Sequence, residues 1–186
     1  MDHNNILGTV LAGGKSQRFG EDKSQVKLGD KLLIDYILSE VIEEFKEILV
    51  VSNSLIDFRK SEKITVIEDI KKNLGPLGGV LTAMKWIKDN NKDYKWISTF
   101  PADTPFFKRS ILQKFLQDIQ PEESKLFFIK SNNTRHNIFG IWSIDLMDKL
   151  EEDLNKGERK VEVWANSIGV KLSLIHISEP TRPNFI

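Results

Sequence analysis

The sequence predicts an α/β fold, a Rossmann-like domain with helices on both faces of a mostly parallel central sheet. Short runs rich in β-branched and aromatic residues alternate with longer amphipathic runs, as in strand–helix–strand units. The first short run leads directly into a glycine-rich loop, which is typical of folds that bind ligands at the ends of parallel strands. The 186 residues suit a single domain.

The alternation of the two kinds of run places the individual elements. Runs that favour strands cover residues 6–11, 48–51, 65–67, 96–100, 126–130 and 139–142. Apolar residues recur at helical spacing over 33–45, 80–87 and 111–119, and each of these segments has one apolar face. Such faces predict helices that pack on the sheet rather than grooves for a partner.

The loop after the first predicted strand combines glycines with positive charge. Gly13 and Gly14 lack a Cβ atom, so backbone N–H groups there come close to an anion without obstruction. Arg18 and Lys23 add full positive charge, and segment 13–27 holds four cations against two anions. This composition predicts a phosphate-binding loop.

Spacing excludes two familiar kinds of phosphate loop. A Walker A motif has four residues between its glycines, whereas five separate Gly14 from Gly20, and Glu21 and Asp22 precede Lys23. A dinucleotide fingerprint opens a helix, but segment 15–30 is polar and has no helical apolar stripe. We expect a long loop that closes over a triphosphate, with the first helix beginning only near Leu32.

Polar side chains follow three further predicted strands. Asn53 comes after the second, Asp69 after the third and Asp103 after the fourth. Because the carboxyl ends of parallel strands meet at one edge of a sheet, these residues should lie beside the glycine loop. The sequence therefore predicts one ligand site at this edge.

Asp103 is the predicted metal ligand. It lies between Pro101 and Pro105, and Mg²⁺ commonly binds one or two carboxylates together with substrate phosphates and water. The structural alternative is that Asp103 or Thr104 caps a helix from about Phe107. No nucleophile is evident, so the chemistry indicated is electrostatic, with cations around a phosphorus atom and the nucleophile brought by the substrate.

Two other motifs each allow a structural and a functional interpretation. The run Gly75-Pro76-Leu77-Gly78-Gly79 is either only a tight turn into a helix or a rigid loop whose backbone reads the edge of a base. His136, next to Arg135 in a predicted polar loop, fits a surface or packing role better than a catalytic one.

Composition limits the compartment and the partners. Lys plus Arg and Asp plus Glu both number 27, so no overall field attracts nucleic acid or an anionic membrane. The chain has no cysteine, which excludes disulfides and Cys-ligated zinc. Neither a signal peptide nor a membrane span is recognisable, and we expect a cytoplasmic monomer.

The end of the chain has a different origin in our interpretation. Segment 172–182, LSLIHISEPTR, resembles one reading frame through a transposon-end adapter used in sequencing libraries. We expect a single domain over 1–171 and a non-native tail over 172–186, with a natural terminal strand as the alternative. In that case the native C-terminal segment is missing.

Several motifs together resemble the molybdenum cofactor guanylyltransferase family. Segment 11–23, LAGGKSQRFGEDK, resembles the family's nucleotide signature, with Phe19 where methionine is common. Segments 66–69 and 75–79 resemble its guanine-recognition region, and 101–105 resembles its magnesium motif. The similarity runs from about residue 6 to residue 170 and includes GERKV at 157–161, before a late helix.

The resemblance implies a fold of the nucleotide-diphospho-sugar transferase type and roles for particular residues. Leu11, Ala12 and Gly13 would contact the nucleotide through their backbone, and Lys23 would neutralise its phosphates. The other implied contacts come from Asn53 and Asp69 to GTP and from Asp103 to Mg²⁺ and nucleotide. Arg18 matches a common arginine, and we infer that it stabilises charge at the α-phosphate.

The implied activity is transfer of GMP from GTP to molybdopterin, with release of pyrophosphate and with transient contacts to other molybdenum cofactor biosynthesis proteins. Two departures concern the pterin: Asn137 follows His136 where the family often has proline, and the family's terminal Asn-x-Asn-Thr-Pro segment is absent. The alternatives are a related nucleotidyltransferase that uses CTP or a sugar phosphate, and a GTP-binding module without catalysis.

Overall fold

The computed structural model describes residues 2–13, 26–53, 61–70 and 74–175. Its strands are β1 (Ile6–Leu11), β2 (Lys27–Leu28), β3 (Lys31–Leu32), β4 (Ile48–Ser52), β5 (Ile64–Glu68), β6 (Trp96–Pro101), β7 (Leu126–Ser131), β8 (Thr134–Ser143) and β9 (Lys171–Leu174). Its α-helices are α1 (Leu33–Val41), α2 (Pro76–Asp89), α3 (Arg109–Asp118), α4 (Met147–Asn155) and α5 (Val161–Ile168). None of the helices in these ranges is long and apolar enough to cross a membrane.

A seven-stranded sheet forms the middle of the molecule, in the order β5-β4-β1-β6-β8-β7-β9. Strands β5, β4, β1 and β6 are parallel neighbours, and β9 is parallel to β7. Only β8 runs against its neighbours β6 and β7. The mostly parallel sheet predicted from the sequence is confirmed.

Alternating side chains of the central strands enter two separate cores. On one face, Ile6 and Val10 of β1 join the apolar sides of α1 and α3. On the other face, Leu7 joins α2, α4 and α5. Because the strands are buried on both faces, they read as continuous apolar runs, and the predicted three-layer arrangement is confirmed.

Where the structure departs from the sequence prediction, the segments are short or polar. Residues 27–32, expected in an open loop, form the small hairpin β2–β3. The polar half of β8 extends the strand back to Thr134, so the expectation that His136 lies in a loop is wrong. Helix α1 begins at Leu33, as predicted.

The end of the described chain also belongs to the sheet. Strand β9 pairs with β7 through the register Phe127↔Lys171 to Lys130↔Leu174. The N–H of Ile175 donates to the Lys130 carbonyl (3.0 Å), and the side chain of Ile175 is buried in the core beside α1 and α3. Backbone pairing of this kind accepts many sequences, so a non-native tail from residue 172 stays a prediction.

Candidate functional site

Backbone hydrogen bonds draw the ends of the parallel strands together at the carboxyl edge of the sheet. The Ala12 N–H donates to the Val51 carbonyl (2.8 Å), and the Ala102 N–H donates to the Leu11 carbonyl (3.1 Å). The Asp69 N–H donates to the carbonyl of Ser52 (3.1 Å). These bonds continue the ladders one residue past the strands, so the residues that follow lie at one edge, as predicted.

Gly13 and Asn53 are neighbours at this edge. Gly13 is exposed, and a Cβ atom built on it would lie 3.2 Å from Asn53 Nδ2. The Asn53 Oδ1 atom is buried and has no hydrogen-bond partner among the residues that the structure describes. A buried acceptor without a donor is costly, so this atom indicates a place for a ligand N–H or O–H group.

The bonds of β1 limit which backbone groups a ligand could reach. The Ala12 N–H and the Leu11 carbonyl already serve the neighbouring strands, and the Ala12 side chain is buried. Gly13 is the first exposed residue after the strand. We therefore expect Gly13 to provide the closest backbone contact of the three predicted residues.

Asp69 lies against the first turns of α2. The Thr82 hydroxyl donates to Asp69 Oδ1 (2.6 Å) and accepts from the Ile70 N–H (3.2 Å). Thr82 is 2% exposed and lies one helical turn after Gly78, whose absent Cβ would be 3.7 Å from Asp69 Oδ2. Thr82 therefore fixes the carboxylate, a role that sequence reasoning missed although a hydroxyl on an apolar helix face is a signal.

Asp103 lies on a tightly tied turn after β6. The Thr104 hydroxyl donates to the Pro101 carbonyl (2.8 Å), and the Phe107 N–H donates to the Thr104 carbonyl (3.2 Å). Asp103 itself is exposed at the sheet edge. The turn holds its backbone in place beside the end of β1.

The helix-cap interpretation of Asp103 and Thr104 is wrong. Helix α3 begins at Arg109, later than the expected Phe107, and Lys108 occupies the N-cap without a side-chain bond. The Arg109 N–H donates instead to Glu40 Oε2 of α1 (2.7 Å). Asp103 is therefore not required to start the helix.

The donor chemistry at Asp103 suits a metal held jointly with a substrate. Among the described ranges, no group of three or more His, Cys, Asp or Glu residues could hold a metal ion alone. Mg²⁺ is often held by only one or two carboxylates together with phosphates and water. The exposed Asp103 carboxylate, on a hydrogen-bonded turn at the carboxyl edge of the sheet, fits that arrangement.

The glycines at the start of α2 serve packing. A Cβ on Gly79 would lie 3.0 Å from Leu11 Cδ2, and one on Gly78 would lie 2.6 Å from the Leu74 Cβ atom. Because Gly78 and Gly79 have no Cβ atoms, α2 can approach β1 and the segment that precedes the helix. Gly75 is exposed, has φ of 66° and immediately precedes Pro76 at the first helical position, so it is the glycine available to border a ligand.

Arg135 and His136 are held within the fold on β8. The Arg135 guanidinium donates to Asn137 Oδ1 (2.5 Å) and to Asn166 Oδ1 of α5 (2.7 Å). The Nε2 atom of His136 lies 2.7 Å from the Ser131 hydroxyl. These contacts favour the packing interpretation of the histidine.

Most of the predicted charged loop lies outside the described residues. Arg18 and Lys23 lie outside the described residues, as does segment 14–25 as a whole. The structure thus brings Gly13, Asn53, Asp69 and Asp103 to one edge, and the two cations stay predictions.

Comparison with known proteins identifies the family. A family model described as the MobA-like NTP transferase domain matches residues 8–168. The chain is 31% identical over 152 residues to the molybdenum cofactor guanylyltransferase of Rhizobium rhizogenes strain K84, covering 81% of this chain and 69% of that protein. It is 27% identical over 179 residues to the enzyme of that name from Nitrobacter hamburgensis, covering 95% and 84%.

A solved structure agrees at the level of the fold. Molybdopterin-guanine dinucleotide biosynthesis protein A from Archaeoglobus fulgidus superposes with a TM-score of 0.70 at 21% identity, over 90% of this chain and 83% of that one. The family model spans the described site from β1 to α5. The chain therefore belongs to the MobA-like NTP transferases, in the molybdenum cofactor guanylyltransferase family.

Proposed function

We propose that this protein transfers GMP from GTP to the terminal phosphate of molybdopterin, with Mg²⁺ as its cofactor, and releases pyrophosphate. The observation that carries the proposal is the buried Asn53 Oδ1 atom, which lies beside the exposed Gly13 and has no donor among the residues that the structure describes. A nucleotide offers N–H and O–H donors from its base and ribose. The relatives' name, molybdenum cofactor guanylyltransferase, supports GTP as that nucleotide.

In the proposed reaction, an oxygen of the acceptor phosphate attacks the α-phosphorus of GTP. A new P–O bond forms, and the bond to the bridging oxygen breaks, so that the electron pair leaves with pyrophosphate. Gly13 and Asn53 would position the nucleotide, and Lys23 and Arg18 would offset charge on the phosphates. Asp103 would hold Mg²⁺ through its carboxylate, and the bound ion would add positive charge where the phosphates react.

Nucleotide selectivity is the first test. The full chain is titrated calorimetrically with GTP, CTP, ATP and UTP, with and without Mg²⁺, after a folded state is confirmed by circular dichroism. Selective GTP binding supports the proposal, whereas preference for CTP favours a cytidylyl enzyme. GTP binding without pyrophosphate release in the presence of molybdopterin would favour a non-catalytic module.

The second test concerns Asp103. Asp103→Asn keeps the shape of the side chain but removes the charge that holds the cation, so we expect turnover to fall at least about 100-fold. Asp145→Asn is the matched control, because Asp145 is an exposed carboxylate at the opposite edge of the sheet, paired with Lys125. Near-normal activity in Asp103→Asn would contradict the assignment, and both variants should unfold at the wild-type temperature.

We also propose that the protein works as a monomer in the cytoplasm and contacts other molybdenum cofactor biosynthesis proteins transiently. A chain without cysteine forms no disulfide and so does not depend on an oxidising compartment. Sedimentation velocity at micromolar concentration tests the first point, and a stable dimer would contradict it.

A further inference from the structure

Phe106 is a large apolar side chain that the fold leaves in the open. It is 81% exposed, more than any other large hydrophobic residue in the described ranges. A single exposed apolar residue is ordinary in proteins. Phe106 differs from the others in its position, because it lies three residues after Asp103, on the hydrogen-bonded turn after β6 at the carboxyl edge of the sheet.

The neighbouring aromatic residues prevent Phe106 from turning into the core. Phe107 is 8% exposed and stacks on Phe139 of β8, with ring centroids 4.8 Å apart and planes 10° apart. Phe107 also meets Phe100 of β6 edge-on at 5.7 Å. Because the Phe107 ring occupies the apolar space between β6 and β8, the side chain of the preceding residue, Phe106, is exposed to solvent. The hydrogen bonds of the turn fix the backbone on which Phe106 lies.

Strand order places this turn on one side of the site. Asn53 follows β4, whereas Asp103 follows β6 and the turn is anchored on β8 through Phe139. β4 and β8 lie on opposite sides of the β1–β6 pair. A nucleotide bound at Asn53 with its phosphates near Asp103 would therefore leave the β8 side for the second substrate.

We propose that Phe106 stacks against the flat fused ring of the acceptor while the acceptor phosphate lies near Asp103. This inference rests on the proposed function, because it assigns a contact to the acceptor of that reaction. Three residues span at most about 11 Å, so the two side chains could reach a phosphate and a flat ring in one small molecule. Aromatic faces bind flat heterocycles through stacking.

The experiment compares three substitutions in the full chain. Phe106→Ala removes the ring, Phe106→Leu keeps an apolar side chain without a ring, and Phe106→Tyr keeps the ring. Val163→Ala, which shortens a half-exposed apolar residue on α5, is the matched control. Steady-state kinetics with molybdopterin and GTP give KM for each substrate, calorimetry gives the GTP Kd, and sedimentation velocity gives the oligomeric state.

The expected result separates the two substrates. Phe106→Ala and Phe106→Leu should raise the KM for molybdopterin about tenfold and leave the GTP Kd within about twofold, while Phe106→Tyr and the control stay near wild type. An unchanged KM for molybdopterin in an active Phe106→Ala variant would overturn the inference alone. So would a loss confined to GTP, or a change only in self-association.

Failure of the proposed function gives a different pattern. If the wild-type chain binds GTP but releases no pyrophosphate in the presence of molybdopterin, the result favours the non-catalytic module, and this contact falls together with the proposed function. The wild-type reaction is therefore measured before any variant.

Discussion

At the scale of single residues, the site depends on how closely Gly13 approaches Asn53. The distance of 3.2 Å from a Cβ on Gly13 to Asn53 Nδ2 leaves little room for a methyl group. Gly13→Ala should therefore displace the carboxamide, and we expect GTP affinity to fall about tenfold. Calorimetric titration with GTP measures this change.

Stability should respond differently in the same variant. Gly13 lies beyond β1 and is exposed, so the free energy of unfolding in urea should change by less than about 1 kcal/mol. A variant that binds GTP normally would show that Asn53 tolerates the methyl group and that the pair does not shape the nucleotide site.

Some site residues were predictable because each closely follows a strand, and parallel strands end at the same edge of a sheet. Asn53 and Asp103 follow the buried strands β4 and β6, and Asp69 follows the partly exposed edge strand β5, so their shared edge followed from the parallel sheet. Thr82 acts through a helix that packs against the Asp69 segment, and its partner is 13 residues away. A hydroxyl on an apolar helix face marks Thr82 as unusual, but the partner that it bonds is set by packing, which no local pattern shows.

At the scale of elements, the segment that leads into β6 contains a half-buried phenol, Tyr94, next to an acid. Tyr94 donates to Glu47 Oε2 (3.1 Å), and Lys92 bonds the same oxygen (2.9 Å) while lying over the Trp86 ring. Burial, and then the negative charge of Glu47, raise the pKa of Tyr94 from 10.0 to about 12. The folded state therefore favours the protonated phenol.

This raised pKa predicts a specific alkaline dependence. Stabilisation from Tyr94 is complete below pH 10, where folded and unfolded phenols are both protonated, and it is lost as the pH rises from 10 to about 12. Urea unfolding across this range should therefore show a shallower fall for Tyr94→Phe than for wild type. Parallel slopes for the two proteins would show that the phenol titrates alike when folded and unfolded.

The length and polarity of an element decided whether the sequence revealed it. Strands of β-branched and aromatic residues, such as β4 and β6, were predicted to within one residue at each end. The pairs Lys27–Leu28 and Lys31–Leu32 are too short for any periodicity to appear. The first half of β8 is polar because it continues beyond the core, where alternation no longer reports burial.

At the scale of the whole molecule, one sheet serves two cores and leaves its carboxyl edge for ligands. Helices α1 and α3 cover one face, and α2, α4 and α5 cover the other. Since both faces are closed, the strand ends are where polar groups can meet a substrate without disturbing the packing. Ile175 of the last described segment belongs to the first of these cores, although the sequence suggests a non-native tail there.

The contribution of that segment is testable with two adjacent residues. Ile175 is 4% exposed, so Ile175→Ala should lower the free energy of unfolding by about 2–4 kcal/mol. Leu174 is 65% exposed, and Leu174→Ala should change it by less than about 0.5 kcal/mol. Urea unfolding of both variants makes the comparison. Equally small losses would mean that the segment adds nothing to the core and that the domain ends at residue 171, whereas a large loss for Ile175→Ala alone would make β9 part of the folded unit whatever the origin of its sequence.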